Sequence, residues 1–346
     1  AELAALIGSQ TALSNRNLVI NGAMQVAQRG TSATVSDSSN EGYSTLDRWR
    51  TNFNNALGGA ISFSQSTDAP SGFANSLKVQ CSTTNTSLST NEYLSIHQRI
   101  EAQNLQLLGY GTSDAKAMTL SWQMKTETYT GPITVAFETM DGTVEYYVKS
   151  YTPTTSWATY TCTVPASTSA TINNDAGLGL YVRFVLAGHT SSSIAASSDS
   201  TAWSTTRADY RSDVGNILSN TSNAIYITGV QLEVGEQATP FEHRSFGDEL
   251  QKCYRYYYRT PAPNGNLDAN EPFPCVGNMD GTQTGAFIFK FPVPMRAAPT
   301  AIEQSGTASD YSIRVTSDAN GTSVPSASGF TAESALVNLV SSGAGF

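Results

Sequence analysis

The chain contains few residue groupings that could carry out catalysis. Its three histidines are His97 in the strand-like SIHQRI, His189 in a Gly-Ser loop and His243 beside a helix start. None accompanies a nucleophile motif such as GxSxG, in which a serine on a tight turn is exposed for attack. We therefore interpret all three as structural. We expect His243, Glu242 and Arg244 to form a hydrogen-bonded lock between a sandwich and the following helix.

Paired carboxylates for glycoside cleavage leave no sequence signature, because two acidic side chains can converge from distant strands. The acidic residues are few, and several stand in turns, among them Asp141 in DG and Asp318 in DANG. A depolymerase built on a β-helix would show short repeats, and the sequence shows no such period. A non-enzymatic protein is predicted, with a polysaccharide depolymerase as the less favoured alternative.

Metal and thiol chemistry are weakly indicated. Asp37, Glu41 and Asp47 could supply oxygen ligands to a structural calcium ion, but DSSNE lacks the ligand spacing of a dedicated calcium loop. The cysteines are widely spaced and form no CxxC or CxxH pair, which argues against zinc. We predict no cofactor, no metal, and reduced, mostly buried thiols at Cys81, Cys162, Cys253 and Cys275.

Sugar recognition is chemically better supported, because it needs aromatic faces for the apolar side of a ring and polar groups for its hydroxyls. The candidate ligand-binding residues are Trp203, Tyr210 and Tyr43, together with polar groups near the C-terminus. Trp203 lies in a long segment between Ala187 and Arg211 that is poor in periodic apolar residues, as functional loops often are. The alternative is that Trp203 only pins this loop to the sandwich.

The composition favours a β protein with an uncharged polar surface. Only 14% of the residues are charged, against roughly 25% in ordinary soluble domains, and Ser, Thr, Asn and Gly suit strands and turns. A net charge of −9 and a pI of about 4.8 argue against binding a phosphate backbone. No apolar run is long enough to cross a bilayer, and the N-terminus does not resemble a signal peptide. We expect neither nucleic-acid binding nor membrane insertion.

Hydrophobic periodicity predicts antiparallel strands from about residue 17 onward. Met118, Leu120, Trp122 and Met124 alternate with polar residues, so one face of that strand covers a core. Asp141-Gly142 separates two further runs and predicts a tight type I′ hairpin turn. Other predicted strands are SWATYTCTV, GLGLYVRFVLAG and NAIYITGVQLEVG, the last with a bulge at Gly229. This pattern indicates a β-sandwich.

One helix is predicted after Pro240. FEHRSFGDELQKCYRYYYR has Ser245 as a possible N-cap and Asp248 at the third following position. Its apolar stripe could pack against the sandwich edge or form the seam of a trimer, and comprises Leu250, Cys253, Tyr254 and Tyr257.

Four regions are predicted. They are an N-terminal helical or fibre-stub segment at 1–16, the sandwich at 17–243, a connecting helix at 244–260 and a C-terminal β module at 261–346. In the last region GAFIFKFPVPMRAAPT and DYSIRVTS are strand candidates, with Pro292 and Pro294 marking an edge.

Several blocks resemble a module of tail-fibre and related virion proteins of tailed bacteriophages, especially marine ones. The blocks are NLVINGAMQVAQRGTS at 17–32, STLDRW at 44–49, GVQLEVGEQATPFEHRSFGDELQKCYRYYYR at 229–259 and FPVPMRAAPT at 291–300. The resemblance implies an all-β protein with an antiparallel jelly-roll β-sandwich similar to carbohydrate-binding modules. It also implies a following helix, a small C-terminal β domain and a trimeric fibre.

The function expected from this resemblance is recognition of a host cell-surface glycan by a homotrimer. Identical sites on one fibre raise the effective concentration of weak sugar contacts. The chain would assemble in the host cytoplasm with other virion proteins and reside in the virion as a tail or capsid fibre. The alternative is a purely structural virion part, such as a head fibre, a tail connector or a spacer.

Overall fold

The computed structural model describes residues 15–37, 39–259, 275–280, 284–304, 306–308, 312–314, 318–320 and 322–340. The chain divides into two compact units, Ala1–Glu249 and Leu250–Phe346. The predicted N-terminal helical segment lies almost wholly outside the described residues.

The described part of the first unit contains two large antiparallel sheets. Its strands are β1 (Ser32–Val35), β2 (Arg50–Asn54), β3 (Ala60–Ser66), β4 (Ser76–Thr83), β5 (Tyr93–Glu101), β6 (Met118–Thr126), β7 (Ile133–Thr139), β8 (Tyr146–Tyr151), β9 (Ala158–Val164), β10 (Leu178–Gly188), β11 (Ala195–Ala196), β12 (Tyr210–Arg211) and β13 (Ala224–Val234). The six-stranded sheet has the order β1-β3-β4-β13-β6-β9, and the five-stranded sheet has the order β2-β5-β10-β7-β8. Short 3-10 helices span Ala102–Leu108 and Ile217–Ser219.

The core lies between the two sheets and is built from alternating residues. Met118, Leu120, Trp122 and Met124 of β6 are all 0% exposed, which confirms the predicted inward face of this strand. On β10 the inward residues are Leu180, Val182, Phe184 and Leu186, which belong to the same apolar cluster. Because side chains alternate along a strand, residues 181 and 183 of β10 point to the outer face of the five-stranded sheet.

The hairpin between β7 and β8 is confirmed, but its turn is wider than a type I′ turn. Gly142 has a positive φ of 53°, whereas Asp141 does not share the left-handed conformation that type I′ requires. The loop closes farther out, where the Thr139 N–H donates to the Glu145 carbonyl (3.0 Å). The Thr139 hydroxyl accepts from the Glu145 N–H (2.8 Å), so a side chain replaces the tight backbone turn.

The bulge at Gly229 is also confirmed. The pairing of β13 with β6 shifts register between Thr228 and Gln231, and Gly229 has a φ of +62°. A Cβ at this position would lie 2.8 Å from Cζ of Phe73, so both the conformation and the space favour glycine.

The connecting helix α1 spans Phe246–Tyr254 and is shorter than the predicted 244–260. Its predicted cap is confirmed, since the Asp248 N–H donates to Ser245 Oγ (3.1 Å) and that hydroxyl donates to Oδ2 of Asp248 (2.7 Å). After the helix the N–H groups of Tyr256 and Tyr257 both donate to the Cys253 carbonyl, at 2.9 and 3.1 Å. The helix ends at this point because the tyrosines that follow favour a helix only weakly.

Tyr257 therefore follows the helix instead of continuing its stripe, which corrects the prediction. Of the other stripe residues, Cys253 is 1% exposed, and Leu250 and Tyr254 are half-buried.

The second unit contains a small antiparallel sheet. Its described strands are β14 (Cys275–Asp280), β15 (Thr284–Lys290), β16 (Ser312–Arg314), β17 (Asp318–Asn320), β18 (Ser326–Ser328) and β19 (Ser334–Val340). The order β14-β15-β19-β18 forms one sheet, and β16 pairs with β17. The predicted strand GAFIFKFPVPMRAAPT is strand only up to Lys290, where β15 ends. The rest, FPVPMRAAPT, is not a strand, because Pro292 and Pro294 lack the N–H groups that a ladder needs.

The chain is thus an antiparallel jelly-roll β-sandwich followed by a helix and a small C-terminal β domain. Its cysteines are free thiols, with Cys81, Cys162 and Cys253 buried and Cys275 half-buried. Within the described residues, no helix combines the length and the apolar character needed to span a bilayer.

Candidate functional site

The sequence blocks at 17–32 and 44–49 meet at Asn21, whose side chain is 0% exposed. Its Nδ2 donates to the carbonyls of Val26 (2.8 Å) and Asp47 (2.9 Å), and its Oδ1 accepts from the Val26 N–H (3.0 Å). The indole of Trp49 donates to the Asn21 carbonyl (3.0 Å). Every buried polar atom of this side chain is therefore paired, as a stable scaffold requires.

The third block joins the same scaffold through Arg244. Its guanidinium donates to the carbonyls of Asn17 and Val19 and pairs with Glu242 (3.0 Å) and with Glu249 of α1 (3.5 Å). The lock predicted for Glu242 and Arg244 is therefore present. His243 does not share it.

The imidazole of His243 is exposed and packs against the rings of Phe73 (5.1 Å) and Phe241 (4.9 Å). The blocks at 17–32, 44–49 and 229–259 thus hold the sandwich together through buried polar contacts.

The three predicted ligand-binding aromatics lie apart from one another. Trp203 is half-buried; its Nε1 donates to the Pro165 carbonyl (2.7 Å), and its ring lies about 6 Å from those of Tyr110 and Tyr147. These contacts support the alternative in which Trp203 pins the loop.

Tyr210 is 0% exposed and donates its hydroxyl to the His189 carbonyl (3.0 Å). A sugar could reach its ring only if the surrounding loop opened. Tyr43 is half-buried, with the Arg29 guanidinium 5.9 Å from its ring centre. Ligand binding by these residues stays a prediction.

The long segment at 189–216 covers half of the outer face of the five-stranded sheet. Its strands β11 and β12 pair in parallel, and a second apolar cluster forms between the loop and the sheet. That cluster comprises Tyr93, Val185, Ile194, Tyr210 and Val214. The sequence did not predict this cover, because the apolar residues of the loop follow no helical or strand period.

The other half of this outer face carries a row of four half-buried polar side chains. The row crosses four adjacent strands in the order Arg99 of β5, Tyr181 of β10, Glu138 of β7 and Tyr146 of β8. Each residue is paired with the next across the strands. Adjacent strands lie about 4.8 Å apart, so the row is about 14 Å long. It offers guanidinium, phenol and carboxylate groups on four adjacent strands of the five-stranded sheet. We refer to these four residues as the polar row.

A more buried row, Arg50–His97–Arg183, lies beside the polar row on the same face. Arg183 contacts Glu138 closely and also approaches Asp209 (3.8 Å). Its guanidinium lies 4.3 Å from the ring centre of Tyr181, and that of Arg99 lies 5.4 Å from the same ring. Two guanidinium groups thus pack around one phenol.

His97 is 1% exposed, and neither ring nitrogen has a hydrogen-bond partner within the described structure. Its ring meets that of Tyr181 edge-on at 5.2 Å. Burial first, and then the positive charges of its arginine neighbours, hold the pKa of His97 well below its usual range. The imidazole is therefore neutral at pH 7. The sequence alone predicts only a structural role for His97.

A groove lies where β8 and β9 meet the segment 189–216. It is a shallow groove of about 620 Å³, and its lining includes Tyr147, Lys149, Asp199 and Glu236. The Asp199 carboxylate already pairs with Arg211 (3.0 Å) and accepts from the Ser150 N–H (3.0 Å). This engagement leaves it poorly placed as a free catalytic acid or base.

Two of the three carboxylates considered for calcium, Glu41 and Asp47, have protein partners. Glu41 accepts from the Phe53 N–H (3.2 Å), and Asp47, which is 2% exposed, accepts from the backbone and the side chain of Gln28. Burial raises the pKa of Asp47. Across the described ranges, no cluster of three or more His, Cys, Asp or Glu side chains is arranged to hold a metal ion.

By sequence, the chain matches no protein-family model and no curated protein. Among solved structures it is similar to the enzymatically active domain of tailspike protein 4 of bacteriophage CBA120, at 12% identity and a TM-score of 0.33. That match covers 63% of this chain and 21% of the tailspike chain, so this chain spans about a fifth of the tailspike chain's length.

Two carbohydrate-binding modules are also similar. One is the family 11 module of a Clostridium thermocellum cellulase, at 15% identity and a TM-score of 0.30, covering 60% of this chain and 96% of the module. The other is the xylan-binding domain of Paenibacillus barcinonensis Xyn10C, at 10% identity and a TM-score of 0.28, covering 62% and 100%. Similarity at this level says nothing about the ligand of this chain.

Proposed function

We propose that this chain is a non-enzymatic, host-recognition component of a tailed-phage fibre. In the proposal it belongs to the virion, acts as a homotrimer and binds a cell-surface glycan through the polar row. The observation that carries the proposal is the alignment of Arg99, Tyr181, Glu138 and Tyr146 across four strands, where each side chain stays partly exposed at the border of the loop.

The row suits a sugar because its groups are planar and both donate and accept hydrogen bonds. Guanidinium N–H groups donate, the Glu138 carboxylate accepts, and phenols do both. The groups stand on strands of a sheet with a fully packed interior, so little conformational entropy is lost when a ligand binds. The sequence resemblance of the scaffold blocks supports the phage-fibre context.

Binding to host cells and to purified host-surface polysaccharide tests the proposal. Replacing Tyr181 by alanine removes the centre of the row and should weaken binding about tenfold or more, the effect of losing one good polar contact and its packing. Tyr181→Phe, which keeps the ring, should lose less. Trp157→Ala is the matched control, because Trp157 is also half-buried but packs near Tyr226 of the six-stranded sheet.

Tyr43→Ala tests whether the glycan binds at Tyr43, a candidate from the sequence, and not at the polar row. Loss of binding in this variant, with Tyr181→Ala unaffected, would contradict the polar row as the site. The non-enzymatic part of the proposal predicts that no reducing ends are released from a polysaccharide that the protein binds. Their steady release would make the chain a depolymerase.

A further inference from the structure

We infer that the polar row recognises an acidic glycan, with the anionic substituent of the sugar, a carboxylate or a sulfate ester, held by Arg99 and Arg50. This inference rests on the proposed function and specifies its ligand.

The first support is a local reversal of charge. The chain carries 28 acidic and 19 basic residues, yet three arginines converge on neighbouring strands of one face. Arg50 of β2 and Arg183 of β10 flank His97 of β5 in register, and Arg99 follows two residues along β5. Because charges are screened beyond roughly 8 Å at physiological salt, a ligand at this end of the row responds to these arginines and their nearest carboxylates more than to the net charge of the whole chain.

The second support is that two of these arginines lack an acidic partner. Arg183 is engaged by Glu138 and Asp209. In the described part of the chain, Arg50 and Arg99 have no carboxylate within 4.0 Å, and Nε of Arg99 is buried without a hydrogen bond. Both side chains are only half-buried, so a ligand can reach their guanidinium groups.

The third support is preorganisation. The Arg99 guanidinium packs near the Tyr181 ring (5.4 Å), which restricts its motion. A guanidinium held in this way still presents N–H groups at its edge. These groups match the paired oxygens of a carboxylate or sulfate far better than they match a neutral hydroxyl.

His97 provides the fourth support. Its ring is buried beside the arginines, and neither nitrogen has a hydrogen-bond partner among the residues that the structure describes. A buried polar group without a partner is uncommon and costs stability unless something compensates for it. Burial is the main cause of its lowered pKa, and the neighbouring arginines lower that pKa further, as positive charges close to the imidazole do.

The test compares binding of the full chain to three soluble polymers: neutral dextran, dextran sulfate and polygalacturonate. We expect binding to at least one acidic polymer to be about tenfold tighter than to dextran, the size expected for a charge-assisted hydrogen bond. Raising the salt concentration should weaken it. Preference for dextran sulfate would identify a sulfate ester, and preference for polygalacturonate a carboxylate.

Charge-matched variants make the test specific. Arg99→Gln and Arg50→Gln should each remove most of the preference for the acidic polymer, and Arg99→Lys should restore only part of it. Lys116→Gln removes the same charge from an exposed residue elsewhere and should change nothing. Equal binding of both arginine variants and wild type to the acidic polymers would overturn the inference.

Failure of the inference and failure of the proposed function give different results. If the protein binds dextran or neutral host polysaccharide through Tyr181 and ignores both acidic polymers, the inference is wrong and the glycan-binding function stands. If the wild-type protein binds none of these polymers and no host polysaccharide, both are wrong. Unfolding midpoints of each variant close to wild type exclude misfolding as the cause of any loss.

Discussion

At the scale of single residues, His97 connects the candidate site to the stability of the fold. Its flanking residues from the packed strands are Arg50, Arg183, Arg99 and Tyr181, and Glu138 lies across β10. A histidine in such surroundings is kept neutral, whereas in the unfolded chain it titrates near its ordinary pKa of about 6.5. Stability must therefore depend on pH through this residue.

The sign of this dependence follows from proton binding. Below pH 6.5 the unfolded chain takes up a proton at His97 while the folded chain does not, because its pKa is depressed. The free energy of unfolding should therefore fall from pH 7.5 towards pH 5, and it should continue to fall until the folded state also protonates. Urea unfolding followed by tryptophan fluorescence measures this slope.

His97→Gln removes the titrating group and should flatten the slope over this range. The exposed His243→Gln variant serves as its control and should retain the wild-type slope. Identical slopes in all three proteins would show that His97 titrates normally in the folded state, and the description of its surroundings would then be wrong.

At the scale of elements, the junction between the N-terminal segment and β13 leaves no room for a side chain. The Val230 N–H donates to the Gly22 carbonyl (3.0 Å), and a Cβ on Gly22 would lie 2.1 Å from the Val230 carbonyl oxygen. That neighbour is backbone in a central strand and cannot move without disturbing the sheet. Gly22 is therefore required by packing between elements, and not by its own conformation.

Gly22→Ala should destabilise the protein by about 2–3 kcal/mol or more, as overpacking of a tight contact does. Gly247→Ala is the matched substitution in the first turn of α1, where the nearest atom would be Ser245 Oγ at 3.9 Å. It should be neutral or stabilise by about 0.5 kcal/mol. Thermal unfolding of the two variants beside wild type measures both effects, and similar shifts in both would contradict the described junction.

At the scale of the whole molecule, the fibre proposal predicts a trimer whose mass in solution is three times the 36.8 kDa of the chain. Leu250→Glu places a charge on the half-buried stripe of α1 and should shift the protein towards monomer if that stripe forms the seam. Gln251→Glu adds the same charge on an exposed position of the helix and should remain trimeric. Light scattering coupled to size exclusion measures all three masses; a monomeric wild type would refute the seam.

Trimerisation would also serve binding, because three identical polar rows engage one surface with a higher effective concentration. Each row then needs only a modest affinity for its sugar. A monomer with the same row would bind polymeric glycan more weakly than the trimer, without any change in the site itself.

The sequence predicted those features that depend on neighbours along the chain. The alternation in β6, the bulge at Gly229 and the cap at Ser245 are each specified by a few consecutive residues, and the structure confirms them. The width of the turn after β7 was predicted wrongly, because the hydrogen bond from the Glu145 N–H to the Thr139 hydroxyl overrides the preference of Asp141-Gly142.

The candidate site depended on the tertiary structure, for a physical reason. Arg99, Glu138, Tyr146 and Tyr181 are ordinary strand residues, and only the pairing of the β7–β8 hairpin with β10, and of β10 with β5, aligns them. Conversely, the aromatic residues singled out from the sequence stand in a loop that folds back onto the sheet, and this buries Tyr210 and pins Trp203. Composition and periodicity thus determined a β-sandwich with few charged residues, whereas strand pairing decided which polar groups meet on its outer face.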